Sequence, residues 1–437
     1  MKQKLFITGG KPLRGEVMVS GAKNAATKMM IASLLTTEPV ILDNCPRIGD
    51  VEIAAEILKK IGAKVEFSGS TVRLHTPKIK STTVGKLSFA NRLPILAISP
   101  LLARAGQAKV PIVGGDKIGA RPVDFHLKAL HQMGIDVKIT GSIYAATCKK
   151  PHGTAIALSY PSVGATENII FAGVLASGRT YISGAAIEPE ILDLIKMLQQ
   201  MGAIIEFRAD RTIIIDGVDS LRGVHYTIMP DRLEAASYGL MAIATKGDIL
   251  VKNARQEDLI TFLNTIRRLG ADYFIEANGI RFKRTTKPLI GIELETDTHP
   301  GFATDWQQPL TVLLTQAKGI SVVHETVYED RFGYTTALNN MGAKIGVFSK
   351  CLGELPCRFK DKLQKHSAII DGPTKLKGTK IEIPDIRAGM AHVLAALIAE
   401  DRSEILGIEH LLRGYENLSA KLTSIGADFK IQNIKTR

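Results

Sequence analysis

One signature recurs six times along the 437 residues: an amphipathic helical pattern closing on apolar-Gly-apolar, followed by a strand pattern. It reads Ile61-Gly62-Ala63, Met133-Gly134-Ile135, Met201-Gly202-Ala203, Leu269-Gly270-Ala271, Met341-Gly342-Ala343 and Ile425-Gly426-Ala427. The interval is about 70 residues until the last, which is longer. Such a period constrains the fold strongly, because each copy must bury the same face in the same way. In Val51–Ile61 the residues Val51, Ala54, Ala55, Leu58 and Ile61 share one helical face. Each glycine stands where a helix needs a C-terminal residue free to take positive φ.

A second signature precedes each of these: a nearly all-apolar helix, a tight turn, then a strand. Examples are Pro100-Leu101-Leu102-Ala103-Arg104-Ala105-Gly106, Met241-Ala242-Ile243-Ala244-Thr245-Lys246-Gly247 and Val393-Leu394-Ala395-Ala396-Leu397-Ile398-Ala399. A helix apolar on all sides must be buried on all sides. Each repeat therefore pairs one interior helix with one surface helix. Two more alternating segments follow, as in the third copy, where the three strand patterns are Ala203–Phe207, Thr212–Ile215 and Tyr226–Met229. The sixth copy ends after one. Lys4–Thr8 and Glu16–Ser20, at the start of the chain, are expected to complete it. This predicts an α/β protein of two three-repeat domains, residues 22–230 and residues 1–21 plus 231–437, with crossings near Gly21 and Pro230.

Composition narrows the function classes. A hydrophobic fraction of 45% and a charged fraction of 23% suit a globular chain. No apolar run approaches the ~20 residues of a membrane span, and the first residues carry too short an apolar stretch for a secretory signal. A cytoplasmic protein without membrane association is expected. The four cysteines, Cys45, Cys148, Cys351 and Cys357, form no disulfide framework. Cys351 and Cys357 with His366 fit no common zinc spacing, so no metal is expected, and the segment Phe348–Ala368 reads as a hairpin insertion without chemistry. The net charge of +13 suits an anionic partner. Phe282-Lys283-Arg284 and Arg358-Phe359-Lys360-Asp361-Lys362 read as solvated surface, not as a nucleic-acid groove.

The repeats sort the loops into two families. One leads into the interior helices and carries Lys23 and Asn24, Arg92, Ser162-Val163-Gly164, Asp231-Arg232, Asp305 and Asp385-Ile386-Arg387. The other leads into the surface helices and carries Arg47, Asp116 with Arg121, Glu188-Pro189-Glu190, Arg255, Arg331 and Arg413. A cation at a helix N-terminus opposes the helix dipole, yet Lys23, Arg92 and Arg387 stand there. Either neighbouring acids pair with them or a bound anion does. Their matched placement across the copies favours a common anion site. The stretch Val113–His126 adds paired glycines suited to close backbone approach, and Pro122-Val123-Asp124 reads as a helix start.

Together, Ser20-Gly21-Ala22-Lys23-Asn24-Ala25-Ala26, Gly114-Gly115-Asp116-Lys117-Ile118-Gly119-Ala120-Arg121-Pro122-Val123-Asp124, Ser162-Val163-Gly164-Ala165-Thr166, Pro230-Asp231-Arg232, Thr304-Asp305, Glu325-Thr326-Val327 and Arg413-Gly414-Tyr415-Glu416 closely resemble the UDP-N-acetylglucosamine enolpyruvyl transferase family. The resemblance runs the whole length in order. It implies an inside-out α/β barrel of six repeats in two domains, with helices inside, sheets outside and an interdomain cleft that closes on substrate. It also implies phosphoenolpyruvate and UDP-N-acetylglucosamine as substrates, addition followed by elimination, and no metal or organic cofactor. By the same resemblance Lys23 would hold phosphoenolpyruvate, with Arg121 and Arg413 on its phosphate and carboxylate and Arg331 and Arg387 adding positive field. Asn24, Arg92, Arg121, Pro122, Val123, Asp124, Phe125, Ser162, Val163, Gly164, Asp305 and Val327 would bind the UDP-sugar. Asp305 would take the proton of the sugar hydroxyl. Asp116 stands where many members have cysteine and would serve as the acid. Tyr160 replaces a frequent lysine near the uridine, and Trp306 is bulkier than the usual aliphatic residue.

Overall fold

The computed structural model describes residues 2–112, 114, 123–284 and 286–434. Asp116, Arg121 and Pro122 lie outside the described residues. Cα packing divides the chain into two compact units. One is made of the first twenty residues and Pro230 onward, the other of the chain between Gly21 and Met229. Each unit has its own apolar core.

Within a unit the repeat is easy to follow. In the third copy the interior helix Val163–Gly173 leads to the strand Arg179–Ser183 and the surface helix Pro189–Gln200. The hairpin Ile204–Phe207 and Ile213–Asp216 then packs antiparallel onto that strand. The interior helices are buried along nearly their whole length, from Lys23–Ala32 to Ile386–Ile398, while the surface helices bury one face. The six glycines of the repeat, Gly62, Gly134, Gly202, Gly270, Gly342 and Gly426, all have positive φ, so each helix ends where a side chain would strain the backbone.

The third strand of each repeat does not stay at home. Val224–Thr227 runs parallel to Val40–Asp43 of the first repeat, Ala155–Ala157 to Arg179–Ser183 of the third, and Thr83 bridges Lys109 of the second. The other unit repeats the exchange: Glu293–Glu295 joins Gly319–His324, Lys380–Glu382 joins Arg402–Leu406, and Arg14–Met18 joins Asp248–Lys252. Every repeat thus lends a strand to the next, and each ring of three closes on itself.

The N-terminal strands complete the sixth repeat by the same exchange. Only the first N-terminal strand, Lys2–Thr8, lies in the sheet of the sixth repeat, between Arg402–Leu406 and Asp428–Ile434. The second belongs to the sheet of the fourth. The physical reason is pairing direction: a strand that enters a neighbouring sheet in parallel satisfies backbone groups that its own antiparallel hairpin cannot reach.

Gly21 follows the last residue of the N-terminal arm. A Cβ there would stand 1.7 Å from the carbonyl oxygen of Asn44, so the close approach admits only glycine. On the other side Ser20 is fixed by Glu234, Glu416 and Lys421: its N–H donates to Glu234 at 2.8 Å, its hydroxyl donates to Glu416 at 2.6 Å, and Lys421 Nζ donates to its Oγ at 2.7 Å.

Candidate functional site

In the unit spanning Gly21 to Met229, Lys23 opens its interior helix without an acid in the first turn. Its compensation comes from the first turn of the neighbouring surface helix, where the buried Asp50 carboxylate lies 2.8 Å from Lys23 Nζ. Asp50 also accepts from Asn91 Nδ2 at 3.3 Å, and Asn91 Oδ1 caps Leu93 N–H. Arg92 thus stands at the mouth of the short helix Leu93–Ala97, one residue from a group tied to Asp50. Lys28, one turn into the first helix, bonds the Asn24 carbonyl at 2.9 Å and lies 3.7 Å from buried Glu167.

The same end of this unit gathers two more helix N-termini. Ser162 caps Val163–Gly173, accepting from Ala165 N–H, and Val123 precedes Asp124–Gln132, which starts where the sequence predicts. Buried His126 on the latter helix meets the former: a Cβ on Gly164 would stand 3.0 Å from its ring. Asn168 donates to His126 Nδ1 at 3.3 Å. Burial pushes the His126 imidazole down to about 3, and the charge of Arg92 adds to the shift. A neutral ring therefore packs against the helix that Ser162 opens. Contacts connect Lys23, Asp50 and Asn91 in one set, and Asn168, His126 and Gly164 in another.

In the unit that includes Pro230 onward, Asp305 sits in the first turn of Thr304–Leu314. Arg331 grips its Oδ1 and Arg387 Nε lies 3.5 Å from its Oδ2. Arg331 also donates to Thr304 Oγ1 at 3.0 Å, and Arg387 donates to the Tyr415 hydroxyl at 2.8 Å. The guanidiniums lie near the rings of Tyr328 and Tyr415 at 4.9 and 5.5 Å. Burial works against both cations, but Asp305 with Glu325 at Arg331, and Tyr415 with Asp305 at Arg387, hold them protonated. Buried Arg413 ends the helix Ile408–Leu412, two residues before Tyr415. Val327 lies in a turn organised by Glu325, whose carboxylate accepts from the N–H groups of Val327 and Tyr328 and from Thr304 Oγ1.

Lys23 pairs with Asp50, and Arg331 and Arg387 pair with Asp305. Asp231 and Asp385 are N-caps, each accepting from two helix N–H groups. Trp306 belongs to the core, packed with Phe262 and Phe302 and facing Arg232. Asp50, Asn91 and Asn168 were not singled out from the sequence, and Tyr415 was quoted there only as part of a motif. Each is an ordinary polar residue whose role comes from a neighbour far along the chain.

A second polar cluster lies in the insertion. His324, Cys351, Cys357 and His366 offer ligand atoms that all lie within 4.8 Å of one another. The fold thus brings Cys351, Cys357 and His366, whose spacing in sequence fits no common zinc pattern, together with a fourth possible ligand. The fourth group, His324, comes from the end of the strand Gly319–His324. Local spacing within the insertion could not reveal it.

The family profile of EPSP synthase (3-phosphoshikimate 1-carboxyvinyltransferase) matches residues 7–422. The UDP-N-acetylglucosamine 1-carboxyvinyltransferase of Protochlamydia amoebophila is 49% identical over 436 residues, covering 98% of this chain and 94% of its own. That of Gluconobacter oxydans is 39% identical over 427 residues, covering 97% and 98%. Among solved structures, the enolpyruvyl transferase NikO from Streptomyces tendae superposes with a TM-score of 0.85 at 24% identity, over 99% of both chains. An EPSP synthase from Acinetobacter baumannii does so with a TM-score of 0.77 at 18% identity, over 99% of this chain and 100% of that one. At those identities the two structures establish the fold.

Proposed function

The chain belongs to the UDP-N-acetylglucosamine 1-carboxyvinyltransferase family of enolpyruvyl transferases, and from that membership we infer its reaction and the roles of its polar residues. It transfers the enolpyruvyl group of phosphoenolpyruvate to the 3-hydroxyl of UDP-N-acetylglucosamine and releases phosphate, the first committed step of peptidoglycan synthesis. The observation that carries the choice of acceptor is the 49% identity to such an enzyme over 436 residues.

The chemistry sets the demands on the site. The sugar oxygen attacks C2 of phosphoenolpyruvate while C3 gains a proton, giving a tetrahedral phosphate-bearing adduct. Loss of phosphate, with loss of a C3 proton, restores the double bond. A base must face the hydroxyl, an acid must face C3, and cations must hold a carboxylate and a phosphate. Asp305 serves as the base. For it to accept the proton, one oxygen must turn from its arginine toward the sugar, and the arginine so released gains an anionic substrate as its new partner. Arg331 and Arg387 thereby hold Asp305 in place until substrate arrives and then supply positive field. Lys23 exchanges Asp50 for phosphoenolpyruvate in the same manner. Arg413 and Arg121 bind the carboxylate and phosphate, and Asp116 delivers the proton to C3. The segments at Asn24, Arg92, Val123–Phe125 and Ser162–Gly164, with Val327, hold the UDP-sugar. Pro122 lies beside them in sequence.

Phosphate release with phosphoenolpyruvate tests this reading. UDP-N-acetylglucosamine is expected to drive one phosphate per enolpyruvyl ether formed, and shikimate 3-phosphate none. Turnover with shikimate 3-phosphate and not with the UDP-sugar would overturn it.

A further inference from the structure

We propose that His324, Cys351, Cys357 and His366 form a structural zinc site that fastens the 348–366 insertion to the strand beneath it. Two thiols and two imidazoles are the donor set of a closed tetrahedral zinc site, and four protein ligands leave no position open for substrate. The ligand atoms already lie within 4.8 Å of one another, and Cys351 Sγ is 3.3 Å from His366 Nε2. Bonds of ~2.0–2.3 Å require tetrahedral edges of roughly 3.3–3.8 Å, so the widest pair would close by about 1 Å.

The neighbours prepare both imidazoles. His366 Nδ1 lies 2.8 Å from the carbonyl oxygen of Gln364. A carbonyl only accepts, so Nδ1 carries the hydrogen and Nε2 presents its lone pair to the cluster. His324 Nδ1 lies 2.8 Å from the Glu295 carboxylate, and its fully buried Nε2 has no hydrogen-bond partner among the described residues. A buried nitrogen in that condition is costly, and a metal bond would satisfy it. A carboxylate behind a ligating histidine is the arrangement that orients metal-bound imidazole. Glu295 also accepts from the N–H groups of Glu354 and Leu355, so one residue anchors both the ligand and the loop. Gly353 fits there because it has no side chain: a Cβ would meet Glu295 Oε2 at 2.1 Å and His324 Nδ1 at 2.4 Å. Phe359 N–H lies 3.3 Å from Cys357 Sγ and would stabilise a thiolate. Binding releases the two thiol protons and leaves two thiolates to balance the charge of Zn²⁺.

The proposal stands independently of the substrate reading, since none of the four ligands has a role in it. The test is metal content of the full chain purified under reducing conditions from zinc-supplemented cells. Elemental analysis is expected to give about one zinc per chain. Cobalt exchange is expected to give the intense visible bands of a tetrahedral thiolate site. The Cys351→Ser/Cys357→Ser double variant and His324→Ala should each lose the bound ion, while Cys148→Ser keeps it. A wild-type chain that holds less than about a tenth of an equivalent after zinc loading and gives no cobalt–thiolate band overturns the proposal. So does zinc retained in full by the double variant. The wild-type measurements decide the question even if a variant fails to fold.

Discussion

Asp305 shows how a residue can be both structural and chemical. Its oxygens hold Arg331 and Arg387, two buried cations that Glu325 and Tyr415 also help to compensate. The same oxygens must face a hydroxyl during the reaction. Asp305→Asn keeps the shape and removes the charge, so it tests the base directly. It is expected to lower kcat by ~10²–10⁴-fold while circular dichroism shows a folded chain. Near-normal turnover would remove Asp305 as base. Lys23 has the same double character through Asp50, 2.8 Å away. Neither partnership can be read from sequence spacing, because Asp50 and Arg331 sit in the other loop family from the residues they bind. The sequence does mark the cations themselves, by their unfavourable place at helix N-termini.

At the scale of elements, an interior helix apolar on every side tolerates few charges. Val163–Gly173 nevertheless buries Glu167. Burial pushes that carboxyl up to about 7; Lys28 opposes the shift, and Glu188 and Glu190 reinforce it. The folded chain therefore binds this proton more tightly than the unfolded chain, whose carboxyl titrates near 4.5. The sign follows: stability falls as pH rises from about 4.5 through 7, by at most ~3 kcal/mol from this group. Urea unfolding at pH 5 and pH 7.5 should show Glu167→Gln losing this slope relative to wild type. An unchanged pH dependence would show that Glu167 is ionised in the fold throughout. The helix ends themselves were legible in sequence, because glycine at the C-terminal position is a local steric requirement. The destination of each third strand was not, since parallel pairing with a neighbouring repeat leaves no local trace.

For the whole molecule, strand exchange makes each three-repeat ring a folding unit. The ring between Gly21 and Met229 contains all of its own strands and a complete core. The other ring depends on Lys2–Thr8 at the centre of one sheet and Arg14–Met18 at the edge of another. A fragment of residues 21–229 is expected to unfold cooperatively on its own. A fragment of residues 230–437 should not fold, and joining residues 1–20 to its C-terminus through a short flexible linker should restore folding. Amide exchange and urea titration of the three fragments would check this. A stable fold in 230–437 alone would mean that the central strand is dispensable.

The repeat, the interior and surface helices and the glycine caps were determined by sequence alone, because each is a matter of local period or local backbone sterics, while the roles of the candidate side chains rest on the family resemblance. The partners of those side chains were decided only by tertiary structure. Asp50 with Lys23, Asp305 between two arginines, and His324 beside Cys351, Cys357 and His366 are all pairings between separate elements. Short-range electrostatics and metal–ligand bonds depend on distances of a few ångströms, and those distances exist only once the sheets and helices have packed.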